Sequence, residues 1–498
     1  MIDGGIMFGI RKKNGAAAEA LPTLILGAGE AGRAMVRSLR KAPDYGLTPI
    51  GFLNDDRRLH RVCGLPALGA LSDIVSVAQR TGAKAALVTL PSLPPRQTAE
   101  IIEAAETAGL LVRYLPSFLA AVERDVRLSD LRGLCVSDLL GRDEVHIATD
   151  RARALVRGRR VLVTGAGGSI GSELCRQIKK FEPAALYLLD HDESNLHGLH
   201  LEIAGSGLLD SDEIIIADIR DRSRLDQVFA LTRPDLVFHA AAHKHLPLLE
   251  RHPCEGVKTN VLGTQHLVDL AVKHGTARFV LISTDKAADP SSALGATKRL
   301  AELVVQRAAG GPTCMASVRF GNVLGSRGSL LSVLAGQVAR DQPITVTHPD
   351  VTRFFMTVEE AVGLVLEAAT LAEYAETFVL DMGEPVPIVD LVHKYAAALH
   401  LPELNIRFTG LRPGEKMNEK VFSDSEIRQP TAHPKVWATR SSAVPGDLDD
   451  MLRELYDMAA LNDADAIRRQ FRRMLPEYEP TQRHLTPVAA GAPYADGF

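Results

Sequence analysis

Twice in this chain an apolar strand runs straight into a glycine-spaced turn that opens a helix, and few folds accommodate that unit. The second occurrence is Val161-Leu-Val-Thr-Gly165-Ala-Gly167-Gly168-Ser169-Ile170-Gly171, with a helical pattern continuing to about Lys180. Backbone amides and the positive end of such a helix converge where a pyrophosphate can sit, which singles out Gly165, Gly168, Ser169, Ile170 and Gly171. Strands and helices then alternate. Ala185 to Leu189 ends at Asp190, Ile214 to Ile216 at Asp218-Ile219, and Asp235 to Phe238 at His239-Ala240-Ala241-Ala242. Such alternation predicts an α/β fold with a doubly wound parallel sheet, whose ligands bind beyond the carboxyl ends of the strands. Asp190 is placed to accept hydrogen bonds from a ribose and to repel a 2′-phosphate. No arginine follows it closely, so NAD is expected rather than NADP. Asp218 and Ile219 are placed to flank an adenine, and Ala240, Ala241 and Ala242 leave room for ribose and phosphates.

The first occurrence, Thr23-Leu-Ile-Leu-Gly27-Ala-Gly29-Glu-Ala-Gly32, is followed by strands at Ile50 to Leu53 and Ala85 to Leu90. Asn54-Asp55-Asp56 follows the first of these strands. Two readings stay open for this unit: a nucleotide-binding domain, or glycines that serve only to pack helix on strand. No catalytic constellation accompanies it.

Length sets the organisation. A chain of 498 residues suggests two or three domains. The expected segments are a disordered lead-in (1–19), a Rossmann-like domain (20–125), a linker (126–157), a catalytic Rossmann-like domain with a smaller substrate-binding part (158–430) and a helical tail (431–498). The arginines from Arg151 to Arg160 read as a solvated face, because no aromatic residues interleave with them. A formal net charge of −4 gives no reason to expect nucleic acid as a partner. Five scattered cysteines with no CxxC pair argue for a reducing, cytoplasmic setting, and no metal-binding spacing is present. No apolar run reaches the roughly 18 residues of a membrane-spanning helix. A homo-oligomer is expected.

The chemistry gathers between Leu281 and Arg299, where a strand emerges into Ser283-Thr284-Asp285-Lys286, turns at Asp289-Pro290 and enters a helix bearing Lys298. Hydroxyl, carboxylate and two amines therefore meet at one strand end. Further on, Asn322, Ser326 and Arg327 follow the strand from Ala316 to Phe320.

On these motifs the chain resembles the extended short-chain dehydrogenase/reductase superfamily. More narrowly it is similar to the long bacterial UDP-N-acetylglucosamine 4,6-dehydratases of polysaccharide and glycan biosynthesis. The stretches that carry this are His243 to Glu250, Lys258 to Asn260, Ser283 to Ala287, Arg319 to Ser329, Thr345 to Thr357 and Gly410 to Lys416. The resemblance runs from about residue 20 to Tyr478. Long members usually begin with membrane helices that this sequence lacks, so a soluble form or a shortened chain is expected, with membrane association only if such helices were removed.

The resemblance implies an internal redox cycle on a UDP-N-acetylhexosamine. Hydride leaves carbon 4 for NAD, the resulting ketone acidifies carbon 5, water departs from carbon 6 and hydride returns there. It assigns Lys298 to the nicotinamide ribose and Thr284 to the 4-oxygen. The superfamily's proton-transfer tyrosine, four residues before that lysine, is Leu294 here, and leucine cannot exchange a proton. Asp285 is therefore expected to take the 4-hydroxyl proton and later protonate the leaving oxygen. Lys286 is expected to act as base at carbon 5, its pKa lowered by NAD, Lys298 and desolvation. Lys244, Asn322, Ser326, Arg327, Arg412 and Glu415 are the implied substrate contacts, and Arg353 is either another or a structural ion-pair partner. The competing functions are a sugar-nucleotide 4-epimerase, which needs no acid or base for carbons 5 and 6, and a non-catalytic sensor of NAD or nucleotide sugar.

Overall fold

The computed structural model describes residues 20–41, 47–56, 60–90, 101, 104–105, 108–114, 150–204, 211–324, 330, 333–334, 337, 340, 342–398, 405–440 and 444–480. The chain divides into two compact units, Met1–Glu144 and Val145–Phe498. The expected lead-in, most of the expected linker and the last residues of the expected tail lie outside the described residues.

In the first unit, strand Leu21–Leu26 pairs in parallel with Leu47–Leu53 on one side and Ala85–Val88 on the other. Strands Leu65–Gly69 and Leu111–Tyr114 extend the parallel sheet, and Arg61–Val62 closes one edge antiparallel. Gly27 has φ +105°, and a Cβ on Gly32 would stand 2.1 Å from the Gly27 carbonyl oxygen. The glycines thus let helix Glu30–Lys41 start against the end of the strand.

The second unit holds a nine-stranded sheet. From one edge its parallel strands are Ile214–Ile216, Ala185–Asp190, Arg160–Thr164, Leu236–His239, Arg278–Ile282, Cys314–Arg319 and Ala375–Leu380. Val436–Arg440 and Ile427–Pro430 add an antiparallel hairpin. The order of the first six in sequence is 3-2-1-4-5-6, so the direction of winding reverses between Arg160–Thr164 and Leu236–His239. The inner strands are apolar on both faces because each face is covered. Leu162, Val237, Phe279 and Leu281 face one core, and Val161, Val163, Phe238 and Val280 the other. This is the doubly wound, extended short-chain dehydrogenase/reductase architecture expected from the sequence.

Two segments at the margins of this unit pack into its cores. Helix Asp150–Val156, read as linker, buries Ala152 and Val156 in one core. Arg151 and Arg153 on it, and Arg157 and Arg159 after it, are exposed as expected, whereas Arg160 is half-buried at the start of its strand and pairs with Asp235 at 3.0 Å. The tail helices Leu448–Ala460 and Ala464–Met474 send Leu452, Leu455, Ile467 and Phe471 into the other core, beside Leu294 and Val257.

Behind the strand ends lies a buried ion network. Glu302, on helix Ala293–Arg307, accepts hydrogen bonds from Arg319 Nε at 2.7 Å, Arg319 Nη2 at 2.6 Å and Ser283 Oγ at 2.6 Å. Arg299 Nη1 reaches it at 3.2 Å. Glu302 and Arg319 are both 0% exposed. Burial by itself would raise the Glu302 pKa, but the two guanidiniums and Ser283 hold it below the usual carboxylate value. Replacing Glu302 with Gln leaves Arg319 buried without its full counter-charge. That variant is expected to lose about 3–5 kcal/mol of stability, measured by chemical denaturation.

His239 anchors the neighbouring strand end. Thr264 Oγ1 donates to the Asn260 carbonyl oxygen at 2.6 Å, so at 3.0 Å it accepts from His239 Nε2. His239 Nδ1 in turn accepts from Thr164 Oγ1 at 2.7 Å. Burial, reinforced by the charge of Lys298, pushes the His239 pKa down to about 3. A folded-state pKa below the unfolded value means that the neutral ring stabilises fully above about pH 6.5. Stability should therefore fall as pH drops from there toward 3, and His239→Gln should flatten that slope in denaturation curves collected across the range.

Candidate functional site

The first part of the site is built by the glycine turn at the point where the winding reverses. Gly165 has φ +70°, and a Cβ there would lie 2.5 Å from the Ala241 amide nitrogen. A Cβ on Gly171 would lie 2.0 Å from the Gly165 carbonyl oxygen. Turn, helix and the Ala240-Ala241 segment can pack this closely only with glycine at both positions. Gly168 is the N-cap of helix Ser169–Lys179, and no side chain caps it. The first turn, Ser169, Ile170 and Gly171, thus lies at a helix end that favours an anion. Asp190 is buried at the end of the next strand and accepts from the Gly167 amide at 2.8 Å and the Asp192 amide at 3.0 Å.

Asp218 is held by Arg220, whose Nη2 lies 2.6 Å away and whose Nη1 reaches Glu255 at 3.2 Å. Partial burial works to raise the Asp218 pKa, but Arg220 outweighs it and keeps the carboxyl below its ordinary value. Ile219 belongs to the core and packs under Gly263, where a Cβ would meet it at 2.7 Å. Ala241 is half-buried and Ala242 exposed, so the strand end is open above the turn. Glycine turn, helix N-terminus, Asp190 and the small residues Ala240 to Ala242 thus follow three neighbouring strand ends where the winding reverses, a set that fits a dinucleotide.

The second part gathers at the end of strand Arg278–Ile282. Thr284 caps a single 3-10 turn, Asp285–Ala287. Its Oγ1 donates to Asp285 Oδ1 at 2.9 Å, and Lys286 Nζ donates to the same oxygen at 2.9 Å. Asp285 is fully buried, and its Oδ2 has no hydrogen-bond partner among the described residues. Lys286 also approaches Asn322 Oδ1 at 3.4 Å and Glu419 Oε1 at 3.6 Å. Lys298 donates to the Ile282 carbonyl oxygen at 2.6 Å, and Leu294, one helical turn earlier, is buried in the core.

The two amines sit in opposite fields. Burial pushes Lys298 down to about 8 against the opposing charge of Glu302. Burial also acts to lower Lys286, but Asp285 and Glu419 overcome it and leave that pKa above the ordinary amine value. The expectation that Lys286 has a lowered pKa is therefore corrected. Its neighbours are two carboxylates, of which Glu419 went unnoticed in the sequence.

The implied nucleotide clamp is internally bonded. Glu415 Oε1 accepts from Arg353 Nη2 at 2.7 Å and Thr347 Oγ1 at 3.1 Å, while Oε2 accepts from the Arg412 amide at 3.1 Å. Arg353 is buried in that pair, which favours the structural of its two readings. Arg412 and Lys244 are exposed. Lys416 donates to the carbonyl oxygens of Ala288 and Asp289, and Ser291 Oγ to that of Gly414 at 3.0 Å, docking this turn onto the Asp285–Ser292 segment. Ser326 and Arg327 lie outside the described residues. Glu302 was also missed, although its place four residues after Lys298, on the same helix face, was a usable signal.

A family model described as polysaccharide biosynthesis protein matches residues 161–441. The chain is 39% identical over 468 residues to the probable polysaccharide biosynthesis protein EpsC of Bacillus subtilis, covering 93% of this chain and 77% of that one. It is 31% identical over 275 residues to a protein of Rickettsia felis named UDP-glucose 4-epimerase, covering 54% of this chain and 78% of that one. Among solved structures, Pen from Bacillus thuringiensis is similar at 32% identity and a TM-score of 0.53, covering 57% of this chain and 89% of that one. Motifs, sheet order and relatives agree, and the chain belongs to the polysaccharide biosynthesis protein family.

Proposed function

We propose that this chain dehydrates a UDP-N-acetylhexosamine, UDP-GlcNAc being the leading candidate, to the UDP-4-keto-6-deoxy sugar. The observation that carries this reading is the buried Asp285 carboxylate paired with the half-buried Lys286, at a strand end whose helix offers Leu294 where a proton-transferring tyrosine would stand. An enzyme that only oxidises and reduces carbon 4 needs one base, which Asp285 can be, and has no use for Lys286 beside it, whereas loss of water across carbons 5 and 6 requires a second base and an acid.

NAD would be held by Gly165, Gly168, Ser169, Ile170 and Gly171 at the pyrophosphate, by Asp190 at the ribose and by Lys298 at the nicotinamide ribose. When bound, it supplies the acceptor for hydride from carbon 4 and the donor to carbon 6. Thr284 orients the 4-oxygen. Asp285, whose Oδ2 has no partner among the described residues, takes the 4-hydroxyl proton and later delivers it to the departing 6-oxygen. Lys286 removes the proton from carbon 5, which requires it first to lose the proton that its neighbours hold on it. Asn322, Arg412 and Lys244 are the nucleotide-side candidates, with Arg353 and Glu415 shaping the turn that carries Arg412.

A 4-epimerase is the second reading, favoured by the similarity to the Rickettsia felis protein of that name. Incubation with UDP-GlcNAc and NAD, followed by mass spectrometry, separates the two. Loss of one water supports the dehydratase, while an isobaric isomer indicates the epimerase and overturns it. Asp285→Asn is expected to retain binding of NAD and sugar nucleotide but to lower turnover on the order of 100-fold or more. Full activity in that variant would remove Asp285 from this role.

A further inference from the structure

Lys286 lies between two buried carboxylates, and the reaction proposed above uses only one of them. Glu419 stands in the irregular segment after the Gly410–Lys416 turn, with its side chain 2% exposed. Its Oε1 is 3.6 Å from Lys286 Nζ, and its Oε2 is buried with no hydrogen-bond partner among the described residues. A carboxylate enclosed this fully, with one oxygen unused, is costly unless it serves a further purpose. We propose that Glu419 receives the proton that Lys286 must shed before it can act at carbon 5, and so acts as a positioning residue through Lys286. This inference rests on the dehydratase reading.

The proton count leads to the same residue. Asp285 is occupied with the 4-hydroxyl proton, which it passes on to the leaving 6-oxygen, so it cannot also take a proton from Lys286. Asn322, the third neighbour of Nζ, has an amide that does not accept one. In the transfer an N–H bond of the ammonium breaks, the electron pair stays on Nζ and an O–H bond forms on Glu419. A charged pair becomes a neutral pair with no change in net charge, an exchange that exclusion of water by bound substrate favours. Lys286 can then take the carbon 5 proton and return one there.

The present 3.6 Å separation exceeds a hydrogen bond of about 2.9 Å by about 0.7 Å, within reach of a lysine side-chain rotation. The other charged groups facing the pair are Arg353, beside Lys286, and Lys416, which is near Asp285, Asp289 and Glu419. Arg353 opposes a charged Lys286, which assists release of its proton.

The test compares the full chain with Glu419→Gln and Glu419→Asp, using UDP-GlcNAc and NAD in deuterium oxide at matched values from pH 6 to 9. Reduced cofactor is followed by absorbance, and deuterium entry at carbon 5 and water loss by mass spectrometry. For Glu419→Gln, carbon 4 oxidation should stay within about threefold of the unsubstituted chain. Deuterium entry and water loss should fall on the order of 100-fold at neutral pH and recover as pH rises, with Glu419→Asp intermediate. If Glu419 merely keeps Lys286 charged, the Gln variant will have more free amine and dehydrate at least as fast at neutral pH, which overturns the proposal. Equal loss of oxidation and dehydration also overturns it, because that marks a structural role. Should the unsubstituted chain release no water, the dehydratase reading fails and this inference with it. Water loss that is unchanged by the substitution removes Glu419 alone.

Discussion

The Glu302 carboxylate is the tie on which the geometry of the site depends. It takes hydrogen bonds from Ser283, at the end of one strand, and from Arg319, at the end of the next. Arg299 reaches it from its own helix and continues at 3.2 Å to Glu477 beyond the tail helices. Arg319 also pairs with Glu426 at 2.8 Å, next to the antiparallel hairpin. Five segments distant in sequence are thereby registered against one buried charge. Burying so many ions is a weak source of net stability, since their desolvation offsets most of the attraction. Their value is geometric: any shift of one strand end relative to its neighbour strands a charge in the core, so Thr284, Asp285 and Lys286 are presented from a fixed platform.

That platform gives two lysines opposite characters. Lys298 is buried against a backbone carbonyl, so desolvation dominates and its proton is loosely held. Lys286 is half-buried against Asp285 and Glu419, so attraction dominates and its proton is tightly held. The same residue type, twelve positions apart, is sorted into two roles by whether carboxylates share its pocket. In the proposed reaction Lys286 acts as base at carbon 5, and a proton held this tightly then needs a destination, the part proposed for Glu419.

The tail contributes to the same arrangement. Phe471, Ile467 and Leu455 complete the core under helix Ala293–Arg307. Arg468 donates to the Glu250 carbonyl oxygen at 2.6 Å, and the Glu250 carboxylate accepts from the Ala293 amide at 2.6 Å, where that helix begins. The start of the helix bearing Leu294 and Lys298 is thus held by residues that a charge pattern alone marks as surface.

The sequence by itself determined the elements whose signal is local. The glycine turns, the alternation of strand and helix, Asp190, and the Thr284-Asp285-Lys286 and Lys298 placements follow from spacing, because turn sterics and strand ends are set by neighbouring residues. The absence of a tyrosine at Leu294 was equally plain. Only the tertiary structure decided the electrical state of Lys286, since Glu419 lies more than a hundred residues away and reaches it through the docking of one turn on another. It likewise decided that Glu415 and Arg353 bind each other and that Ile219 turns into the core. Each of these depends on which distant groups meet in a water-poor interior, where charge and burial act between partners that sequence spacing does not pair.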